Sequence, residues 1–413
     1  MILENGLEIY LIHQPYDLAR VELVIKSGML VEKPEEHGYA HLLEHLASFY
    51  PSPKYPSSLE NQEEFTIREI DCNAWTSAYA TGYFLEGVLE YLPLMLDYMY
   101  NHYNEPLWDE DMIPQEKKAV TQELTGYLNS TWNNLRTLIN VCDFPDTVLS
   151  MGIEHEIATV ENADIKDVIA FRDKYYSPCN CTLFITTDLD KCNFRSLGLV
   201  EKWGKIRNNK YSNTIKPFKY IRPPLRNKIF FAPSPSSKDY RIIISWDIPW
   251  KWNDIRIYTL EYLTMVLTDG LGSKLMKILR SDKGAIYSIH SKVETNFIGK
   301  SKFAITVNAS EEDVRMVIDE IIKASNNLVI TDEEWQRKVT RDKIKDEHFK
   351  DDGKFREYTE DIEVQLLWKV PIKTTKEIHE EVIQLDCDQI NEIFKELFSQ
   401  GPTVYYSGKK QVI

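Results

Sequence analysis

The sequence predicts a chain of two homologous α+β domains, and three observations carry that expectation. At 413 residues the chain exceeds one ordinary domain and divides naturally into two of about 200 residues. Its hydrophobic content of 43%, with 12% aromatics, is ample for packed cores. Five segments of the first half recur, in the same order, in the second, as an internal duplication requires.

Each element follows from its local pattern. The opening stretch MILENGLEIYLIHQ reads as a β-strand; it lacks the basic region, apolar run and small-residue cleavage site expected of a signal peptide. A strand at 21–25 resembles 240–246, and a helix bearing His41 and His45 has its counterpart near 257–263. A strand at 73–76 is followed by an apolar helical segment at 89–96. Pro93 fits the first turn of that helix, where a missing N–H costs nothing. The second half answers with a strand at 303–307 and a helix from Val314. Trp108, Asp109 and Glu110 lead into a charged helix, as do residues 331–335. Finally, 163–171 and 387–394 read as helices opened by a capping Asp and leading to strands, the last at 403–406. The polar, basic, proline-bearing stretch 208–226 reads as a linker between domains 1–207 and 227–413.

Charge and cysteine usage exclude some functions. The net charge of −15 argues against nucleic acid and mildly favours basic partners. No segment approaches 18 uninterrupted apolar residues, so no membrane span is expected. Six scattered cysteines suit reduced thiols and a cytoplasmic location. Cys179 and Cys181 alternate in a strand-like run and are expected on one face, as buried thiols rather than a second metal site.

The chemistry concentrates at His41-Leu42-Leu43-Glu44-His45. Histidines four apart lie one turn from each other on one helix face, a ready zinc site, and Glu44 beside them can act as a general base. A zinc hydrolase needs a third protein ligand and an open position. Glu116 and Glu123, seven apart on an amphipathic helix, share a face; one can ligate while the other supports it, or both can line an ordinary charged surface. His37, four residues before His41, sits at the helix start before Gly38 and is not expected to ligate.

With these residues the chain resembles the inverted-zincin metallopeptidases of the pitrilysin and insulin-degrading class, in the short branch that includes the mitochondrial processing peptidase. The resemblance covers nearly the whole chain. It is carried by His41 to His45, by Asn73-Ala74-Trp75-Thr76-Ser77, by Glu116 to Glu123, and by Tyr175 to Asn180. In the second half it rests on Gly270-Leu271-Gly272-Ser273-Lys274-Leu275, then Arg280, Gly284 and Tyr287. It implies two αβ-roll domains, each a mostly antiparallel sheet with helices packed on one face. It implies one Zn2+ per chain, held by His41, His45 and Glu123, with Glu116 as the supporting carboxylate. Glu44 would be the general base on zinc-bound water in a peptide-hydrolysing endopeptidase.

By the same resemblance, Asn73, Ala74 and Trp75 form an edge that takes the peptide as an added strand. Tyr287 and Arg280 engage the substrate backbone, Tyr287 as an oxyanion donor. A two-domain chain would then work as a homodimer, or as a heterodimer with a homologous subunit, closing a chamber around peptides. Maturation of a ribosomally made peptide and oligopeptide degradation are both compatible roles. The alternative is a non-catalytic or partner-dependent subunit that binds and guides the peptide. Two departures bear on substrate preference: Ile70-Asp71-Cys72 replaces a glycine pair before the Asn-Ala strand, and three prolines follow the histidine helix at 51–56.

Overall fold

The expected strands and helices form, with others between them, in the structure, a computed structural model that describes every residue except 49–50, 109–110, 129–130, 210–224, 252–253, 296–300, 349–353 and 374. The first half runs β1 (Glu8–His13), β2 (Leu18–Ile25), α1 (Tyr39–Ser48), α2 (Ser58–Ile67), β3 (Asp71–Thr76), β4 (Thr81–Val88), α3 (Leu92–Asn104) and α4 (Met112–Leu128). It continues with α5 (Thr131–Asp143), α6 (Ile153–Asn162), α7 (Ile165–Tyr175), β5 (Cys181–Thr187) and α8 (Leu199–Trp203). The second half runs β6 (Lys228–Pro233), β7 (Tyr240–Asp247), α9 (Ile255–Leu267), β8 (Ile289–Glu294), β9 (Lys302–Ala309), α10 (Val314–Asn326) and α11 (Asp332–His348). It ends with α12 (Lys354–Leu367), α13 (Thr375–Val382), α14 (Cys387–Phe398) and β10 (Thr403–Gly408). Asp164 caps α7 through its side chain, as the capping pattern predicts; α14 is instead capped by Asp386, and Asp388 of the expected segment lies inside its first turn.

The chain forms two compact units. The first comprises residues 1–128, 145–218 and 355–367; the second comprises 129–144, 219–354 and 368–413. Most of the expected linker, 210–224, and Asp109 and Glu110 lie outside the described residues.

In the first unit the sheet order is β1-β5-β2-β4-β3. Only β1 and β5 pair in parallel; the other neighbours are antiparallel. One face is apolar: Val21, Leu23, Ile25, Leu85, Leu183 and Ile185 pack with Met95, Leu96 and Met99 of α3. The other face is not bare. There Ile12, Val24 and Phe184 meet Ile362, Leu366 and Leu367 of α12.

The second unit repeats this plan with the order β6-β10-β7-β9-β8, again with one parallel pair, β6 and β10. A large apolar core fills one face beneath α9, α10 and α14. On the other face Leu135 of α5 packs with Ile243, Ala304 and Tyr405. There Lys302 forms a buried ion pair with Asp143 at 2.5 Å. The repeated strand order corrects one sequence expectation. The counterpart of β9 is β4, and the edge strand at 73–76 answers to β8, not to the strand at 303–307. The expectation for the paired thiols also fails. Residues 178–180 form a 3-10 turn, leaving Cys179 exposed while Cys181, first in β5, is fully buried.

Candidate active site

Helix α1 owes its placement to the residues before it. Gly38 has φ +92°, and a Cβ there would lie 2.7 Å from the Val160 side chain of α6, so glycine serves both the backbone turn and the tight packing against α6. The first turn of α1 is held from a distance. The buried Glu32 carboxylate accepts hydrogen bonds from the N–H groups of Gly38 at 3.0 Å and Ala40 at 2.7 Å, satisfying donors the helix leaves unpaired. Burial pushes the Glu32 carboxyl well above the usual range, against those two bonds. Ala40, Leu42, Leu43 and Leu46 then turn into an apolar cluster with Val120 and Leu124 of α4 and Val160 of α6. This leaves His41, Glu44 and His45 beside the acidic side of α4.

The expected ligands converge. Nε2 of His41 lies 3.6 Å from Glu123 Oε2, and Nε2 of His45 lies 3.4 Å from the same oxygen. The three ligand atoms all lie within 4.8 Å of one another. Each histidine meets a second carboxylate through its other nitrogen. Glu116 Oε2 is 3.4 Å from His45 Nδ1, and Glu156 Oε1 is 3.6 Å from His41 Nδ1. Such carboxylates fix the tautomer and ring angle of a metal-binding imidazole. The contact with Glu116 is the leading cause that raises the His45 pKa. Glu44 is half-buried; burial raises its pKa, opposed by His41, His45 and a hydrogen bond with Thr76.

The donor set fits zinc on three counts. It offers two imidazole nitrogens and one carboxylate oxygen, the usual composition of a hydrolytic zinc site. The buried His41 Nδ1 and Glu156 Oε1 have no hydrogen-bond partner, although they face each other just beyond bonding distance. Among the described residues, the ion pairs of Glu116, Glu123 and Glu156 are all with histidines, so the carboxylates have no Lys or Arg to offset them and a dication would.

His37 stands outside this set. Its Nε2 is 3.9 Å from Glu156 Oε2, and its Nδ1 is 3.1 Å from Nδ1 of His155. Burial lowers its pKa to about 4. Glu156, Glu32 and His155 carry no sequence signal; they are ordinary members of a charged helix and a loop until the fold brings them together.

Strand β3 lies at the edge of its sheet and, among the described residues, pairs with β4 alone. Cys72 and Ala74 face the apolar side, and Thr76 reaches α1, its hydroxyl 3.5 Å from the Ala40 carbonyl. Asn73 is exposed, and its Oδ1 accepts from the N–H of Ala74. Trp75 turns the opposite way, its Nε1 donating to Glu22 at 2.8 Å. In the second unit, Arg280 sits in a π-helical turn, Met276–Asp282. Its guanidinium lies 5.0 Å from the Tyr287 ring centroid, and its Nη1 donates to the Tyr287 carbonyl at 3.0 Å. Tyr287 itself is 81% exposed, so its phenol is available to a ligand.

The chain is similar in sequence and in fold to known proteins. Residues 8–140 match the profile described as insulinase (peptidase family M16), and residues 162–341 match the peptidase M16 inactive domain. The chain is 24% identical over 297 residues to YmxG of Bacillus subtilis, named as an uncharacterized zinc protease, covering 70% of this chain and 68% of that protein. It is 22% identical over 323 residues to a second protein named as an uncharacterized zinc protease, from Rickettsia felis, covering 77% and 75%. Over 124 residues it is 33% identical to protease 3 of Escherichia coli, which is 30% of this chain and 13% of that one. Among solved structures, a protease from Helicobacter pylori superposes with a TM-score of 0.82 at 17% identity, over 99% of this chain and 98% of that one. An M16 inactive domain from Pseudomonas fluorescens gives 0.80 at 12% identity, over 100% and 98%. No described helix is long and apolar enough to cross a membrane.

Proposed function

The chain belongs to the insulinase (M16) peptidase class, and on that premise we propose that it is a zinc-dependent endopeptidase acting on peptides or extended precursor segments. The observation that carries this reading is the convergence of His41, His45 and Glu123 ligand atoms within 4.8 Å, with Glu44 half-buried beside them. Zinc, when bound, supplies a Lewis acid that polarises the scissile carbonyl and eases ionisation of a water.

The protein's own residues do the rest. Glu44 takes the proton of the attacking water on its carboxylate and returns it to the leaving amine. Its raised pKa makes it a better base than an ordinary glutamate. Glu116 and Glu156 hold the two imidazoles in the tautomers that leave Nε2 free for the metal. The open edge of β3 accepts the peptide backbone as an added strand, which gives sequence-tolerant binding. Tyr287 donates to the developing oxyanion and Arg280 steadies the substrate carbonyl. One zinc per chain serves this reading, and two chains pair so that the zinc site of one works with the Tyr287 of the other. A homodimer is self-sufficient because each chain has both parts. The net charge of −15 suits basic peptides.

The second reading is a partner-dependent subunit that guides peptides. The resemblance to an M16 inactive domain in Pseudomonas fluorescens favours it, but that reading does not explain a complete ligand set with its base. The test is zinc content together with cleavage of a quenched peptide library rich in Lys and Arg. Glu44→Gln is expected to keep zinc and to lower cleavage by about 10²–10⁴-fold; cleavage at the normal rate would remove Glu44 as the base. Mixing Glu44→Gln with Tyr287→Phe chains is expected to restore part of the activity. No restoration after confirmed subunit exchange would break the shared-site dimer.

A further inference from the structure

The face of the first sheet remote from the zinc ligands holds a group of buried charges that the chemistry above does not use. Arg20 and Glu22 on β2 are 2% and 3% exposed. Nε and Nη2 of Arg20 donate to Glu22 Oε2 at 3.0 and 2.6 Å, and Nη1 donates to Glu86 at 3.1 Å. The guanidinium lies 3.8 Å from the centroid of the Phe84 ring. The buried Glu363 of α12, within the same unit, is 4.0 Å from Arg20 Nε. Buried ion pairs contribute little net stability, because desolvation consumes most of the attraction; their best-attested use is to fix one arrangement.

Here the cluster reaches the edge strand. With one oxygen of Glu22 taken by Arg20, the other accepts the Trp75 indole N–H at 2.8 Å. The indole occupies the space over Gly82, where a Cβ would fall 2.4 Å from its ring; any side chain there would displace Trp75. Among the described residues, strand β3 is held on one edge, by β4. On its other face Thr76 touches α1 and hydrogen-bonds Glu44. A shift of β3 therefore moves the backbone groups offered to a peptide relative to the base.

We propose that Trp75 and the buried Glu22 are positioning residues for peptide binding, clamping the edge strand β3 from behind so that an added strand meets the base in register. This rests on the reading of β3 as the peptide-accepting edge. The test uses the zinc-loaded full chain carrying Glu44→Gln and two fluorescent peptides of one Lys- and Arg-containing sequence, one plain and one with N-methylated backbone amides that cannot pair as a strand. Trp75→Phe keeps a ring over Gly82 and removes the donor. It is expected to raise the Kd of the plain peptide about fivefold, the worth of one hydrogen bond, and to leave the methylated peptide's weaker binding unchanged. Glu22→Gln leaves one acceptor oxygen for two donors and sets an NH2 group against either Arg20 or the indole, so it is expected to raise the plain-peptide Kd as well; if it does not fold, the Trp75→Phe comparison stands without it. In the chain with Glu44 intact, KM should rise by the same factor with kcat within about twofold. A plain-peptide Kd that ignores Trp75, equal losses for both peptides, or a fall confined to kcat would overturn the inference alone. Failure of the zinc-loaded chain to bind either peptide would overturn the edge-strand reading and this inference with it.

Discussion

Helices α1 and α9 lie against the edge strands of two sheets with the same strand order, yet they are built in opposite ways. Helix α9 is an ordinary core helix. Its own Asp254 caps it through the N–H of Arg256, and Ile257, Leu260, Leu263 and Leu267 enter one continuous apolar core. Helix α1 presents His41, Glu44 and His45, and the apolar residues around it split into a cluster separate from the one beneath the sheet. Its N-terminus is held by Glu32 rather than by an adjacent cap. The comparison separates what the fold needs from what the chemistry adds. The fold needs a helix beside the edge strand. The chemistry needs that helix to carry ionisable groups between apolar layers, and each such group then requires a partner, because a buried polar group without one is costly. Glu32, Glu116 and Glu156 are those partners.

The comparison predicts that equal damage to the two helices has unequal consequences. The largest effect is expected from His45→Ala, which should lose zinc and bring cleavage to background while the apo chain keeps its far-UV signal. Leu263→Ala on α9, a fully buried site, should cost about 2–5 kcal/mol of stability and keep the zinc. Metal analysis and urea unfolding of both variants check this; zinc loss in Leu263→Ala would break the separation of fold from chemistry. Next is Glu156→Gln. It should lower zinc affinity about 10–100-fold in competition with a chelator, because His41 loses the charge that orients it. Unchanged affinity would mean that Glu156 serves only the packing of α6.

How much of this was legible follows the same line. The histidine pair and Glu44 could be read because their spacing is local to one helix. Helical periodicity brought Glu116 and Glu123 to one face but left the ligand open; the fold puts Glu123 between the two Nε2 atoms and Glu116 behind His45. Glu156 was invisible because α6 reaches His41 only through the close approach at Gly38, a tertiary event. Strand β4 was missed because its two glycines weaken the strand pattern, and β8 because its IHSKVE sequence is mostly polar. Without them 73–76 was paired with the wrong counterpart. Nor could chain order reveal that α5 covers the second sheet and α12 the first, since each lies on the far side of the expected boundary.

The smallest effect sharpens the comparison most, because it reads the cost of the polar partners directly. His37 is buried against Glu156 and His155, and its pKa falls to about 4, mainly through burial; an unfolded histidine titrates near 6.5. Between those values the unfolded chain binds a proton that the native chain refuses, so stability rises with pH across the window. The contribution is therefore complete above about pH 6.5 and is lost as the pH falls toward 4. From pH 7 to 5.5 the loss from this one residue should be about 1 kcal/mol. His37→Gln removes the titration. Urea midpoints of the apo chain at pH 7, 6.25 and 5.5 should show a shallower decline for the variant than for the parent. Parallel declines would mean that the native chain opens to accept the proton at His37, and that the polar layer around α1 is looser than the packing of α9.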